Sequence, residues 1–125
     1  MDTRQIVLQY FDFVNRGDWD SWSTLFAPHA VVDDALSPRI EGIEAVRESG
    51  TSIQKLFRKF ENHIVDLVVE GNKAMAVCHI DAITADGASI QSDGANYYRI
   101  EDGKIAYMSS YHDKAPFVAA FSGRS

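Results

Sequence analysis

The sequence predicts an α+β domain whose helices cover one face of a curved antiparallel sheet. Three observations carry that reading. Apolar residues recur at helical spacing through the first half of the 125-residue chain. Four extended stretches with β-rich composition fill the second half. Asp86-Gly87 and Asp102-Gly103 divide the later stretches, and Asp-Gly suits tight hairpins because both central residues of a type I′ turn need positive φ. Helices first and strands after is the α+β order.

The first helix is predicted from Asp2 to Arg16. Asp2 and Gln5 form a capping-box pattern, Ile6, Tyr10, Phe13 and Val14 supply the apolar stripe, and Gly17 stops it. Asp18 caps a short second helix that turns Trp22, Leu25 and Phe26 inward and ends at Ala27-Pro28. His29–Asp34 reads as a short strand entering a loop. A third helix is expected from about Ile43 to Phe60, with Gly50 as a weak point. Strands then follow at Glu61–Val69, Lys73–Ala85, Ala88–Glu101 and Lys104–Asp113. Lys114–Phe117 reads as a turn after the last one.

At 125 residues the chain is one domain, large enough to hide roughly two thirds of its surface. Hydrophobic residues make up 46% and charged residues 24%, as in ordinary globular proteins. A net charge of −6 argues against nucleic acid as a partner. No apolar run reaches the length of a membrane span, so no membrane partner is expected. The opening MDTRQIVLQYFDF lacks the basic and apolar regions of a signal peptide. A single cysteine, Cys78, excludes an internal disulfide, fits a reducing, cytoplasmic setting and reads as an inert core thiol. No glycine-rich phosphate loop follows a strand and no tight metal-ligand spacing is present, so neither cofactor nor metal is expected.

Pairing the strands by arithmetic places the candidate chemistry. Two-residue loops at both Asp-Gly turns set Asp81 opposite Ser92, His79 opposite Gly94 and Val77 opposite Asn96. They also set Asn96 opposite Ser109, Gly94 opposite Tyr111 and Ser92 opposite Asp113. A three-residue loop at Glu70-Gly71-Asn72 sets His63 opposite His79. Side chains directly opposite share a face. One mostly apolar face would therefore carry Asp81, Asp113, His63, His79, Asn96, Tyr98 and Tyr111, beneath the helices. His112 would point the other way. A carboxylate in such a place is costly, and burial lifts its pKa toward the range useful for acid–base catalysis. The outer face would show Ala76, Cys78, Ile80 and Ala82, a small-residue patch suited to a homodimer.

Three segments, YFDFVNRGDWDSWSTLFAPHAVVDD, RIEGIEAVRE and YYRIEDGKIAYMSSYHD, resemble the nuclear transport factor 2-like superfamily, of the SnoaL-like polyketide cyclase and ketosteroid isomerase type. The likeness spans nearly the whole chain. It implies a cone: a curved sheet wrapped around N-terminal helices, enclosing an apolar pocket, often in a dimer. By resemblance, Tyr10 and Asp34 match in order and spacing the oxyanion tyrosine and base aspartate of ketosteroid isomerases. Asn96 falls near their second oxyanion donor. His79-x-Asp81 with Asp113 is similar to the limonene epoxide hydrolase arrangement. His63 resembles a histidine of scytalone dehydratase-like members, and Asp113 the proton shuttle of the cyclases. The function so implied is cofactor-free carboxylate acid–base chemistry on a hydrophobic polyketide-, steroid- or terpenoid-like molecule. A non-catalytic ligand-binding or dimerisation module is the alternative. The expected catalytic set is Asp113, Asp81, His79, His63 and Asp34. Tyr10, Trp22, Asn96, Tyr98 and Tyr111 are the expected substrate contacts.

Overall fold

The computed structural model describes residues 1–122. Helix α1 (Thr3–Arg16) begins with the capping box, Asp2 accepting from the Gln5 amide and the Gln5 side chain accepting from the Asp2 amide. It ends at Gly17, whose φ of 70° is the left-handed conformation glycine supplies cheaply. Helix α2 (Trp19–Ser23) is capped by Asp18, and α3 (Ile43–Leu56) stops four residues short of the expected end. Phe57 there is already extended, at φ −127° and ψ 138°. Helix α4 (Ala115–Ser122) occupies the segment read as a turn; Pro116 sits in its first turn, where a missing N–H costs nothing.

Six strands form one curved, unclosed sheet: β1 (Phe26–Asp33), β2 (Ile40–Glu41), β3 (Phe57–Glu70), β4 (Lys73–Thr84), β5 (Ser89–Glu101) and β6 (Lys104–His112). Their order is β2-β1-β6-β5-β4-β3, antiparallel except that β1 runs parallel to β6. Helix α1 lies on one face and joins Ile6, Tyr10, Phe11 and Val14 to Ala74, Ala76, Cys78, Tyr98, Ile100 and Met108 in the core. Helix α4 closes the far end of that face, where Phe117 and Ala120 pack with Ile80, Ala82 and Ile90.

Register decides what the inner face carries, and it departs from the simple arithmetic at several places. The loop after β4 holds three residues, Ala85-Asp86-Gly87. Thr84 N–H donates to the Ala88 carbonyl (2.9 Å), and Ala88 N–H donates to the Thr84 hydroxyl (2.9 Å). That extra residue pairs Asp81 with Gln91, His79 with Asp93 and Cys78 with Gly94, one step from expectation. A one-residue slip sends every side chain of a strand to the other face. The Asp102-Gly103 turn has the expected positive φ values, 51° and 73°, and pairs Glu101 with Lys104. A bulge at Ala106 then shifts the rest of β6, pairing Asn96 with Ser110 and Gly94 with His112. His63 does pair with His79, through two departures that cancel: a shorter loop after β3 and a bulge at Val65.

The patch assigned to the outer face is consequently inside. Ala76, Cys78, Ile80 and Ala82 are buried, whereas Met75, Val77, Val68 and Tyr111 are exposed.

Candidate functional site

The slip separates the expected catalytic set. Asp81, His79 and His63 face outward, away from the helices. Asp81 accepts from Lys59 Nζ (2.9 Å) and Gln91 Nε2 (2.7 Å). The Lys59 ammonium holds its carboxyl below the usual range, opposite to the rise that acid catalysis needs. His79 sits between Asp93 (Nδ1–Oδ1, 2.7 Å) and Gln91 (Nε2–Oε1, 2.5 Å), and His63 pairs with Glu61 at 3.0 Å. Asp113 is exposed, and its carboxylate accepts from Ala115 N–H (3.1 Å) in the turn entering α4. Tyr111 lies on the outer face, 62% exposed. The shared carboxylate pair expected under the helices does not form.

The remaining expected residues do converge. Tyr10 of α1, Trp22 of α2 and Asn96 and Tyr98 of β5 are all buried. The Tyr10 ring meets Tyr98 edge to face at 5.1 Å and tilts against Trp22 at 6.1 Å. Asn96 Nδ2 donates to the Tyr98 hydroxyl (3.1 Å), and Asn96 Oδ1 lies 3.2 Å from His112 Nε2. Cys78 Sγ is 4.0 Å from that same nitrogen. A polar thread therefore crosses an apolar interior, Tyr98 to Asn96 to His112, with the Tyr10 ring packed on its Tyr98 end. At its margin Asp34 is half-buried at the end of β1. Ser110 Oγ donates to Asp34 Oδ1 (2.9 Å) and accepts from Ala35 N–H (3.0 Å), while Asp34 Oδ2 accepts from Leu36 N–H (3.1 Å). Three hydrogen bonds thus fix the carboxylate and the chain around it.

Burial dominates the electrostatics of this interior. Loss of water pushes the Tyr10 and Tyr98 phenols up, so both stay protonated donors at any ordinary pH; the nearby Asp34 charge adds to the rise at Tyr10. Burial lifts the Cys78 thiol to about 11, which keeps it un-ionised and poorly nucleophilic. It depresses His112, with the Asp34 charge pulling the other way, so this imidazole is neutral near pH 7. Trp22 Nε1, Asn62 Oδ1, Ser109 Oγ and His112 Nδ1 are buried without a hydrogen-bond partner among the described residues. Unpaired buried polar atoms are uncommon in folded proteins, so each calls for a physical reason.

His112 is the residue that sequence reasoning missed. Gly94, the residue opposite it, was the available signal: a glycine inside a strand marks close approach of another group. The imidazole uses that space, since a Cβ built on Gly94 would lie 2.3 Å from His112 Nδ1.

Two hollows open elsewhere. One, of about 440 Å³, is lined by residues including Trp19, Asp20, Arg47 and Thr51; the other, of about 210 Å³, by residues including Ile53, Phe57, Arg58 and Phe60. They adjoin at Trp19 and Gln54 on the helical side. Among the described residues no group of three or more His, Cys, Asp or Glu side chains is placed to hold a metal ion, and no helix is long and apolar enough to cross a membrane.

The fold and its buried polar thread define a small α+β domain of the nuclear transport factor 2-like kind. Residues 7–108 match the family model for the SnoaL-like domain, and the chain belongs to that family. A search of curated proteins found no match. Similar solved structures include a ketosteroid isomerase-fold protein from Catenulispora acidiphila DSM 44928, in complex with trimethylamine. Its TM-score is 0.86 at 17% identity, over 98% of this chain and 95% of that one. A candidate SnoaL-like polyketide cyclase from Jannaschia sp. CCS1 gives 0.82 at 18%, over 98% and 93%. An LEH-like epoxide hydrolase from M. tuberculosis gives 0.79 at 18%, over 95% and 89%. At these identities the likeness is one of fold.

Proposed function

We propose that this protein is a cofactor-independent enzyme of proton transfer on a hydrophobic carbonyl compound, with Asp34 as the base. The observation that carries this reading is the buried thread Tyr98–Asn96–His112, with the Tyr10 ring packed on Tyr98 and a fixed carboxylate at its margin. The Asp34 carboxylate removes a proton from the carbon next to a carbonyl. The electron pair of that C–H bond moves onto the carbonyl oxygen, and the resulting enolate oxygen takes a hydrogen bond from Tyr10. Where a double bond is conjugated with the enolate, its far carbon takes the proton back from Asp34, which is isomerisation; otherwise the enolate carbon attacks a second carbonyl of the same molecule, whose oxygen takes that proton, which is aldol closure. Phenols held un-ionised by burial are suited to the donor role, because a dry site strengthens a hydrogen bond to developing charge.

The similar folds include a candidate cyclase and an epoxide hydrolase. Enolisation fits the interior better than epoxide opening. The two carboxylates that would share epoxide opening, Asp81 and Asp113, stand outside it on separate partners.

One observation favours the alternative of a non-catalytic module: the interior is filled by rings of this chain itself, with Tyr98 fully buried and Tyr10 and Trp22 nearly so. Self-association through the outer sheet face belongs to either reading, and its support is the exposed Met75, Val77, Val68 and Tyr111.

Deuterium uptake next to the carbonyl of apolar cyclic ketones, followed by NMR in D₂O, tests the proposal without knowledge of the natural substrate. Wild type is expected to accelerate exchange, and Asp34→Asn to lose about 100-fold or more, the scale of a general base. Bound ketone with no exchange would establish the binding module instead.

A further inference from the structure

The direction of the hydrogen bonds in the interior thread follows from which atoms are left over. His112 has one ring nitrogen, Nε2, beside Asn96 Oδ1 at 3.2 Å, and the other, Nδ1, buried without a partner. A neutral imidazole carries one proton. Placed on Nδ1, it would be a stranded N–H against Gly94, and orphaned buried N–H groups are the rarer and costlier kind. Placed on Nε2, it donates to Asn96 Oδ1 and leaves only an unused lone pair. The second placement is the favourable one. With Oδ1 so engaged, the Asn96 amide must present its N–H to the Tyr98 oxygen, which is the 3.1 Å contact observed. The Tyr98 oxygen then accepts, and its own O–H points onward from Asn96, on the side where the Tyr10 ring packs at 5.1 Å.

We propose that His112 is a positioning residue: through Asn96 it fixes the Tyr98 oxygen as an acceptor and so directs the Tyr98 O–H toward the Tyr10 side of the interior, where the proposed reaction takes its donor. The catalytic part of this rests on the proton-transfer reading above; the tautomer and the direction do not. Asp34 just after β1, Cys78 on β4, Tyr98 on β5 and Tyr10 on α1 are the titratable groups near the imidazole or the thread it orders. None of them supplies a hydrogen-bond partner for Nδ1.

The decisive experiment pairs two variants with two readouts. Long-range ¹H–¹⁵N NMR of the wild-type protein at pH 7 is expected to show His112 neutral with the proton on Nε2. His112→Gln keeps an N–H donor close to the Nε2 position, and His112→Phe keeps the bulk and removes the donor. The ¹H NMR shifts of the buried phenol protons should separate the two, Gln resembling wild type and Phe not. In the ketone exchange assay, Phe is expected to lower kcat roughly fivefold to tenfold, the worth of about one hydrogen bond, with KM little changed and Gln restoring most of the loss. A proton on Nδ1, or Phe and Gln variants with the same phenol proton shifts, overturns the proposal. If wild type exchanges no ketone, the proposed reaction fails while the NMR and phenol results still decide the direction of the thread. Should His112→Phe not fold, the wild-type tautomer and the Gln variant decide alone.

Discussion

Gly94→Ala puts the strand register itself to the test. The added Cβ would lie 2.3 Å from His112 Nδ1, 2.4 Å from the Tyr111 carbonyl oxygen and 2.7 Å from His112 Cα. Carbon approaches such atoms to roughly 3.5 Å in packed interiors, so all three contacts are deep overlaps. Rotating the imidazole relieves only the first. The other two are backbone, and relief there requires β5 and β6 to move apart. Overpacking of this kind costs about 1–3 kcal/mol, and displacing His112 from Asn96 adds about 1 kcal/mol for a buried hydrogen bond. At roughly 4 °C per kcal/mol for a domain of this size, Tm should fall by about 10 °C or more. Circular dichroism melts measure it. Gly17→Ala is the comparison: its Cβ meets nothing within 4 Å, so only the positive φ of 70° is penalised, at about 1 kcal/mol. A Gly94→Ala protein melting within about 2 °C of wild type would mean that His112 does not lie over Gly94. The pairing that places it inside would then be wrong.

Two further outcomes follow from the same geometry. Burial depresses His112, so between its folded value and the ordinary ~6.5 the unfolded chain binds more protons, and that part of the stability is whole above ~6.5 and fades as pH falls. His79 is raised by its bonds to Gln91 and Asp93 and works in the opposite sense, stabilising below ~6.5 and losing effect as pH rises through its folded value. Melting from pH 7 to 5 should therefore fall less steeply in His112→Gln and more steeply in His79→Gln; an unchanged slope in the first refutes the buried imidazole. Asp81→Asn should leave ketone exchange intact, since Lys59 and Gln91 hold that carboxylate outside, whereas Asp113→Ala should cost roughly 0.5–1 kcal/mol and speed amide exchange in α4. Abolished ketone exchange in Asp81→Asn would return the chemistry to the outer face.

Much of the fold is local, and local features are legible in a sequence. The Asp2–Gln5 capping box, the stop at Gly17 and the type I′ turn at Asp102-Gly103 each depend on a few adjacent residues, and each forms as read. The inward placement of Tyr10, Trp22 and Tyr98 follows from periodicity and bulk. The end of α3 and the existence of α4 were less legible. Phe57 to Phe60 continues the helical apolar spacing yet leaves the helix to begin β3, and Pro116 resembles a breaker while serving as a helix start.

What the sequence by itself determined is the class of domain, the starts of the first three helices, the strand count in the second half and the aromatic filling of the interior. Which polar groups share that interior was decided only by the tertiary structure. Strand periodicity is two, so one residue added at the Thr84–Ala88 loop turns Asp81 and His79 outward, and one bulge at Ala106 turns His112 inward in place of Tyr111. No local propensity fixes those two residues of offset. They are set by the whole sheet at once, because only this register buries Ala74, Ala76, Cys78, Ile80 and Ala82 under the helices and leaves Lys59, Asp81 and His79 in water.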